Sequence, residues 1–425
     1  MTTLATGFTD TFRSLAVRNF RLFFIGQFIS QTGTWMTMVA QTLLVLELTR
    51  SGIVLGLLAA CQFGPVLLLG AFAGTIADRY DKRRVLFFTQ AGAMLQSLIL
   101  GTVVLTGNAS VGVILPLAAL QGVLTAFDNP SRRAFVVEMV PPSHVSNAVS
   151  LNSTLMTGSR VFGPALAGFL VLTVGYAWCF YLDGLSYIAV LASLAAMRTA
   201  ELFPATPHPR GRGQTREGLR YVRSHRDLFV PLAMMAIIGT IAFNFSVTAP
   251  LLVTGPLEAG EQAYTWLFST MSVAAVVGAL ATARRETVPK SHLVGSAALF
   301  GLGMVILAAS PTMAVAYLGA VVVGLGSIGF MTSSTALVQL LAAPAYRGRV
   351  LALQAMVFLG STPIGGPLVG WVADQFGARA AILLGAAACF GAATWAHLTW
   401  RRPAPTPVLP QVSPAEVPGF PGGAS

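Results

Sequence analysis

Long apolar stretches dominate the chain, each broken mainly by small or weakly polar residues and set apart by short polar segments. A helix needs roughly 20 mainly apolar residues to cross the hydrocarbon layer. Twelve stretches qualify: 20–46, 53–77, 85–106, 111–134, 148–172, 177–197, 229–253, 262–283, 292–309, 313–341, 349–372 and 378–399. None shows the two-residue alternation over ~10 residues that marks a transmembrane barrel strand. The pattern predicts an all-α membrane protein of twelve transmembrane helices. Its longest polar interruption divides them six and six, which predicts a segment 1–19, a bundle 20–197, a basic linker 198–228, a second bundle 229–399 and a Pro-rich, disordered tail 400–425.

Composition agrees, with 55% of residues hydrophobic and 10% charged, against about a quarter charged in a soluble domain. The net charge of +11 does not point to nucleic acid, because its distribution is one-sided. With the N-terminus placed in the cytoplasm, 23 of the 26 Lys and Arg fall in cytoplasmic segments or at the cytoplasmic ends of spans, Arg50 and Arg379 fall at the outer side, and Arg160 alone lies deep within a span. This is the positive-inside bias, and it predicts that both termini are cytoplasmic. Arg13, Arg18 and Arg21 precede an apolar run too long for a signal-peptide core, so the first span is read as retained. Within the linker, Thr215 to Asp227 is read either as a short basic helix on anionic lipid or as topology-setting charge alone.

Cys61, Cys179 and Cys389 each lie in an apolar run and far apart, so neither a disulfide framework nor a zinc motif is expected. The hexamer "GLGSIG" (324–329) fits a dinucleotide fingerprint, but it lies inside a continuous apolar run rather than at a strand-to-helix turn. Small-residue helix packing is the reading it supports. No Walker-type phosphate loop occurs. The expectation is a protein that is not an enzyme and takes no cofactor or metal.

The halves resemble each other. A shift of 202 places "SNAVSLN" (146–152) over "GRVLALQ" (348–354) and superimposes Gly158 on Gly360, Ser159 on Ser361, Gly163 on Gly365, Gly168 on Gly370 and Gly175 on Gly377. The offset pairs span 5 with span 11, which run in the same direction, so the repeat is parallel and pseudo-symmetric about the membrane normal. Secondary transporters built this way hold substrate near the midplane, between halves that rock.

Charge is densest in "GTIADRYDKRR" (74–84), between spans 2 and 3. Gly74, Asp78, Arg79, Lys82, Arg83 and Arg84 resemble the signature found there in the major facilitator superfamily, with Asp81 where that family usually has Gly. The resemblance implies a gate: Asp78 meets a helix N-terminus of the other half in one rocking state only. In span 5, "GSRVFGPALAGFL" (158–170) is similar to the Gly-Pro signature of drug-proton antiporters. Gly158, Gly163, Pro164 and Gly168 fit that signature around Arg160, while Ser159 and Ala167 stand where glycines are usual. With "DNPSRRAFVVEMVP" (128–141), the chain looks most like the enterobactin-exporter and macrolide-efflux branch, from about Phe12 to Arg401. This implies the major facilitator fold, in a bacterial-type inner membrane.

Arg160 sits at mid-depth in its span, where a charge costs at least ~2.5 kcal/mol unless paired or hydrated. Asp128 and Asp183 are its candidate partners, and the three are the candidate proton-coupling groups. Asp128 also matches the family's span 4 acid that can hold the basic loop, here through Arg79. Polar residues recur at helical spacing: Gln27, Gln31, Thr34 and Met38 in span 1, Gln121, Thr125 and Asp128 in span 4, and Thr240, Asn244 and Thr248 in span 7. With Met331 they are candidate cavity residues, against the plainer role of hydrogen bonds between helices. The expected function is proton-coupled export of a medium-sized amphipathic compound, a drug, siderophore or secondary metabolite, by alternating access. Its partners are the small-molecule substrate, protons and the bilayer, with no nucleic acid and no obligate protein partner. An importer, a non-transporting sensor and a passive lipid or solute conduit are the alternatives.

Overall fold

The computed structural model describes residues 12–203, 214–283 and 288–401, and every long element in it is a helix. The first half is α1 (Arg18–Thr49), α2 (Gly52–Arg79), α3 (Lys82–Leu105), α4 (Val111–Glu138), α5 (Val145–Thr173) and α6 (Tyr176–Ala195). After a short α7 (Gln214–Ser224), the second half is α8 (Arg226–Ile241), α9 (Phe245–Thr254), α10 (Glu261–Ala283), α11 (Lys290–Ala309), α12 (Met313–Leu341), α13 (Pro344–Phe376) and α14 (Ala378–Arg401). In lipid no backbone N–H or C=O can be left to water, which is why apolar runs of this length become helices.

Eleven helical stretches among the described residues are long and apolar enough to cross a membrane, where the apolar pattern predicts twelve. The difference lies in α1. Its 32 residues are ample in length, but glutamines and threonines dilute its apolar content. Gln27, Ser30, Thr37 and Gln41 are all buried, so these polar groups face protein rather than lipid.

The repeat read from the sequence reappears as packing. In the first half α1 packs on α5 and α6, α2 on α4, and α3 on α4 and α6; in the second, α8 packs on α13 and α14, α10 on α12, and α11 on α12 and α14. Two seams, α2 with α13 and α5 with α10, join the halves and are likewise exchanged by the repeat. The aligned small residues have matching tasks. A Cβ at Gly163 would collide with Thr32 and Trp35 of α1, and one at Gly365 with the Thr240 carbonyl of α8. Gly168 faces Thr265 across one seam and Gly370 faces Gly52 across the other. Gly175 (φ 85°) and Gly377 (φ 89°) make the same left-handed turn before the last helix of each half, a conformation that glycine adopts without a Cβ clash.

One predicted span is not continuous. The stretch 229–253 breaks at Ala242–Asn244 into α8 and α9. The Asn244 side chain donates to the carbonyls of Thr240 (2.7 Å) and Ile241 (3.3 Å), serving oxygens that the break would otherwise leave without donors. The "GLGSIG" stretch lies in α12, with Gly324 against the Met271 carbonyl and Gly326 against the Phe300 backbone, so close helix contact is its task. The cysteines are free thiols, Cys179 and Cys389 buried and Cys61 half-buried.

The basic helix of the linker docks on protein. On α7, Val222 is buried with Val338, Val350 and Leu353, and Tyr221 stacks on Tyr346 with ring centroids 4.2 Å apart. Arg349 donates to Glu217 at 2.7 Å. Arg220 and Arg223 remain exposed. Of the predicted tail, Trp400 and Arg401 are helical at the end of α14, and residues 402–425 lie outside the described residues, as do Arg284 and Arg285.

Candidate substrate cavity

Four helices of the first half converge on a polar cavity. α1 contributes Gln31 and Thr34, α3 contributes Thr89, Gln90 and Ala93, α6 contributes Tyr187, and α4 contributes Gln121, Leu124, Thr125, Asp128, Asn129 and Arg132. Spacings of three and four residues along α4 put Gln121, Thr125, Asp128 and Arg132 on one face. That face is packed against α3, whose Thr89 and Gln90 complete the network.

The charges in this lining are paired. Arg132 Nε lies 3.1 Å from Asp128 Oδ2, and both side chains are buried. Asp128 Oδ1 accepts from Gln90 Nε2 at 2.7 Å and from Thr89 Oγ1 at 3.2 Å. The guanidinium also donates to Asn129 Oδ1 at 2.6 Å and contacts the Met156 sulfur at 3.0 Å. Nearer the opposite end, Tyr187 Oη lies 3.1 Å from Thr34 Oγ1 and accepts from Gln121 Nε2 at 3.4 Å. The carbonyl oxygens Gln90 Oε1 and Gln121 Oε1 accept no bond from a described residue. A wall of neutral hydrogen-bonding groups around one closed ion pair can hold a polar or amphipathic molecule without demanding a particular charge. Among the described residues no cluster of His, Cys, Asp or Glu could hold a metal ion.

The structure brings Gln31, Thr34, Gln121, Thr125 and Asp128 together as the helical spacing predicts. Other expected lining residues lie elsewhere. Gln27 is fully buried, with neither amide atom bonded to a described residue, and Met38 is half-buried on α1. The hydroxyls of Thr240 and Thr248 donate back to Ala236 and Asn244 within their own segment, and Asn244 is taken up by the helix break. Met331 packs against a buried apolar cluster that draws residues from both halves. Sequence reasoning missed Thr89, Gln90, Asn129, Arg132 and Tyr187. In the sequence Arg132 is one of the 23 cytoplasmic positive charges, and Gln90 stands out as an isolated amide in an apolar run.

The charge pairings expected around Arg160 and Arg79 are corrected. Arg160 pairs with neither Asp128 nor Asp183. It is exposed and lies over the Trp35 ring, 4.7 Å from the centroid, a cation–π contact that offsets part of the cost of its position. Asp128 is committed to Arg132 rather than to the Arg79 loop. Asp183 is 1% exposed on α6, and its Oδ2 accepts from Ser97 Oγ at 2.7 Å while Oδ1 accepts no bond within hydrogen-bonding geometry from a described residue. Gly33 of α1 makes room for it, since a Cβ there would collide with Oδ1.

In the stretch 74–84, Gly74 is half-buried while Asp78 and Arg79 are exposed at the end of α2. Lys82 pairs with Glu138 at 2.9 Å, and Arg83 donates to the Leu194 carbonyl at 2.7 Å, tying the loop to the ends of α4 and α6. Asp81, which stands where the family usually has Gly, is not in the left-handed region. Its φ is −58°, and its side chain accepts from the Arg84 N–H at 2.9 Å as the N-cap of α3. On α5, Gly158, Gly163, Pro164 and Gly168 lie within the helix, where Gly163 and Gly168 permit the two close contacts described above.

An all-helical bundle of two repeated halves, with a polar cavity among apolar spans, defines a multi-pass membrane transporter. The family model described as "Transmembrane secretion effector" matches residues 9–407. The staphyloferrin A transporter of Staphylococcus aureus is 27% identical over 370 residues, covering 84% of this chain and 90% of that one. Macrolide efflux protein A of Streptococcus pyogenes is 21% identical over 365 residues, with 84% and 90% covered. Among solved structures, a bacterial homologue of the human lysosomal transporter Spinster, inward-facing and occupied, superposes with a TM-score of 0.70 at 15% identity, covering 92% of this chain and 97% of that one. The chain belongs to the transmembrane secretion effector family of the major facilitator superfamily, and it is a transporter rather than an enzyme.

Proposed function

We infer that the protein exports a medium-sized amphipathic compound, a drug, siderophore or secondary metabolite, from the cell in exchange for protons. The halves 20–197 and 229–399 rock against each other, which exposes the first-half cavity to one side of the membrane at a time, and the Asp78 loop gates its cytoplasmic side. Both termini are cytoplasmic. Export is supported by the macrolide efflux relative, and a polar or amphipathic cargo by a cavity of neutral donors and acceptors around one closed ion pair. Proton exchange rests on one observation: Asp183 is a carboxyl group buried at the α1–α3–α6 contact, held by the Ser97 hydroxyl and in no ion pair among the described residues. An ionisable group inside a span is costly to keep and marks a site of ion or proton passage, which is the ground for assigning proton exchange to this carboxyl group.

Uptake of a compound panel into inverted vesicles tests this reading. The native protein should accumulate at least one amphipathic compound, faster when the vesicle interior is acidic. Asp183→Asn should insert normally yet lose the response to the proton gradient. Uptake indifferent to the gradient in the native protein would refute proton exchange, and a full gradient response in Asp183→Asn would remove Asp183 from it.

Orientation has its own test. In a variant lacking the three native cysteines, Ser110→Cys, just before α4, should react with an impermeant thiol reagent from outside intact cells. Tyr80→Cys, exposed after α2, should react only in inverted vesicles. Labelling of both from one face would contradict the layout.

A further inference from the structure

At the end of the bundle opposite the Asp78 loop, both seams are closed by carboxylates of the second half. Asp374, near the end of α13, accepts from Ser51 Oγ at 2.8 Å, from the Gly52 N–H and from the Ile53 N–H at 3.0 Å. Those two N–H groups open α2, and the first N–H groups of a helix have no partner within it. The Ser51 side chain does not cap α2 itself, so the anion at its positive end comes from the other half. Beneath this cap Gly52 and Gly56 lie against Gly370 and Gly366, with no room for a Cβ on either helix. On the other seam, Tyr176 Oη of α6 donates to Glu261 Oε1 of α10 at 2.6 Å.

We propose that Asp374 is a gating residue for transport. Its carboxylate holds the α2–α13 seam shut by capping α2 across the halves, and loss of that cap is a required step in opening this end. The Tyr176–Glu261 bond is the matching clasp on the α5–α10 seam. The proposal rests on the alternating-access reading above. It makes α2 a helix gated at both ends, by Asp374 at its N-terminus and by the Asp78 loop at its C-terminus. Glycine contacts keep the seam closely packed, but dispersion forces are weak and short-ranged. The bonds to a charged acceptor are the stronger restraint and set the balance between closed and open states.

Spin-label distances test it without a known substrate. In a variant lacking Cys61, Cys179 and Cys389, one label pair at Asn108 and Gln262 reports the Asp374 end, and a second at Tyr80 and Arg347 reports the other. Asp374→Asn should lower the ratio of closed to open population at the first pair by about tenfold or more, as expected for losing hydrogen bonds to a charged group, while the second pair shortens. Ser51→Ala should shift both pairs the same way by less, and Asp374→Glu should restore part of the native distribution. A merely structural aspartate would lower thermal stability without moving the two ends in opposite senses. Should Asp374→Asn fail to fold, Ser51→Ala combined with Glu261→Gln carries the same test, and unchanged distributions there overturn the proposal. Native distances that never move in opposite senses at the two ends, at any pH, refute alternating access itself. Opposite movement in the native protein with no effect of these variants refutes the role of Asp374 alone.

Discussion

Asp128→Ala is expected to remove most of the folded protein from the membrane, whereas the double variant Asp128→Leu/Arg132→Leu should recover much of it. In the native structure the Asp128 carboxylate neutralises the Arg132 guanidinium at 3.1 Å and takes donors from Gln90 and Thr89. Removing the acid leaves Arg132 with Asn129 and a methionine sulfur. Breaking a buried ion pair from one side costs about 3–5 kcal/mol, because it strands a charge, while replacing both members by apolar groups is often near neutral. Membrane yield and the thermal midpoint in detergent give the readout. The two single changes should each cost far more than the double variant, and simple additivity would show that the charges do not depend on each other. Because the pair also lines the cavity, the double variant should be stable yet poor in transport. Full transport by it would place the substrate elsewhere.

Gly365→Val should lower the thermal midpoint more than any other single change within the second half, and Gly163→Val should do the same in the first. A Cβ at Gly365 would overlap the Thr240 carbonyl oxygen, and that oxygen is not free to withdraw, because it accepts from the Asn244 side chain at the break in the seventh pass. A Cβ at Gly163 would meet backbone atoms of Thr32 and Met36. Overpacking against backbone costs about 1–3 kcal/mol and at times more. Gly391, with nothing within 4 Å of its Cβ position, supplies the control, and Gly391→Ala should be neutral or slightly stabilising, since alanine is the better helix former. If Gly365→Val and Gly391→Ala behave alike, close contact at the repeat positions is not what those glycines serve.

The sequence by itself determined the class of fold and its symmetry. Apolar runs of some twenty residues can only be helices in lipid, so the all-helical class follows from solvent physics alone, although α1 is too rich in glutamine and threonine to count as a span by composition and the stretch 229–253 breaks into two helices. The 202-residue offset was equally legible, because a repeated contact geometry demands small residues at repeated positions, as Gly163 and Gly365 show. Part of the cavity was visible for a similar reason. Gln121, Thr125 and Asp128 share a helical face, and polar groups in a span must face protein or water. The tertiary structure alone decided which charges meet. Periodicity places a residue on a face of its own helix but says nothing about the helix packed against it. Arg132, read as a topology charge, thus became the partner of Asp128, and Arg160 stacked on Trp35 in place of either acid. The Asp374 cap on α2 was beyond reach for the same reason, because a carboxylate and a helix N-terminus more than 300 residues apart come together only when the two halves close.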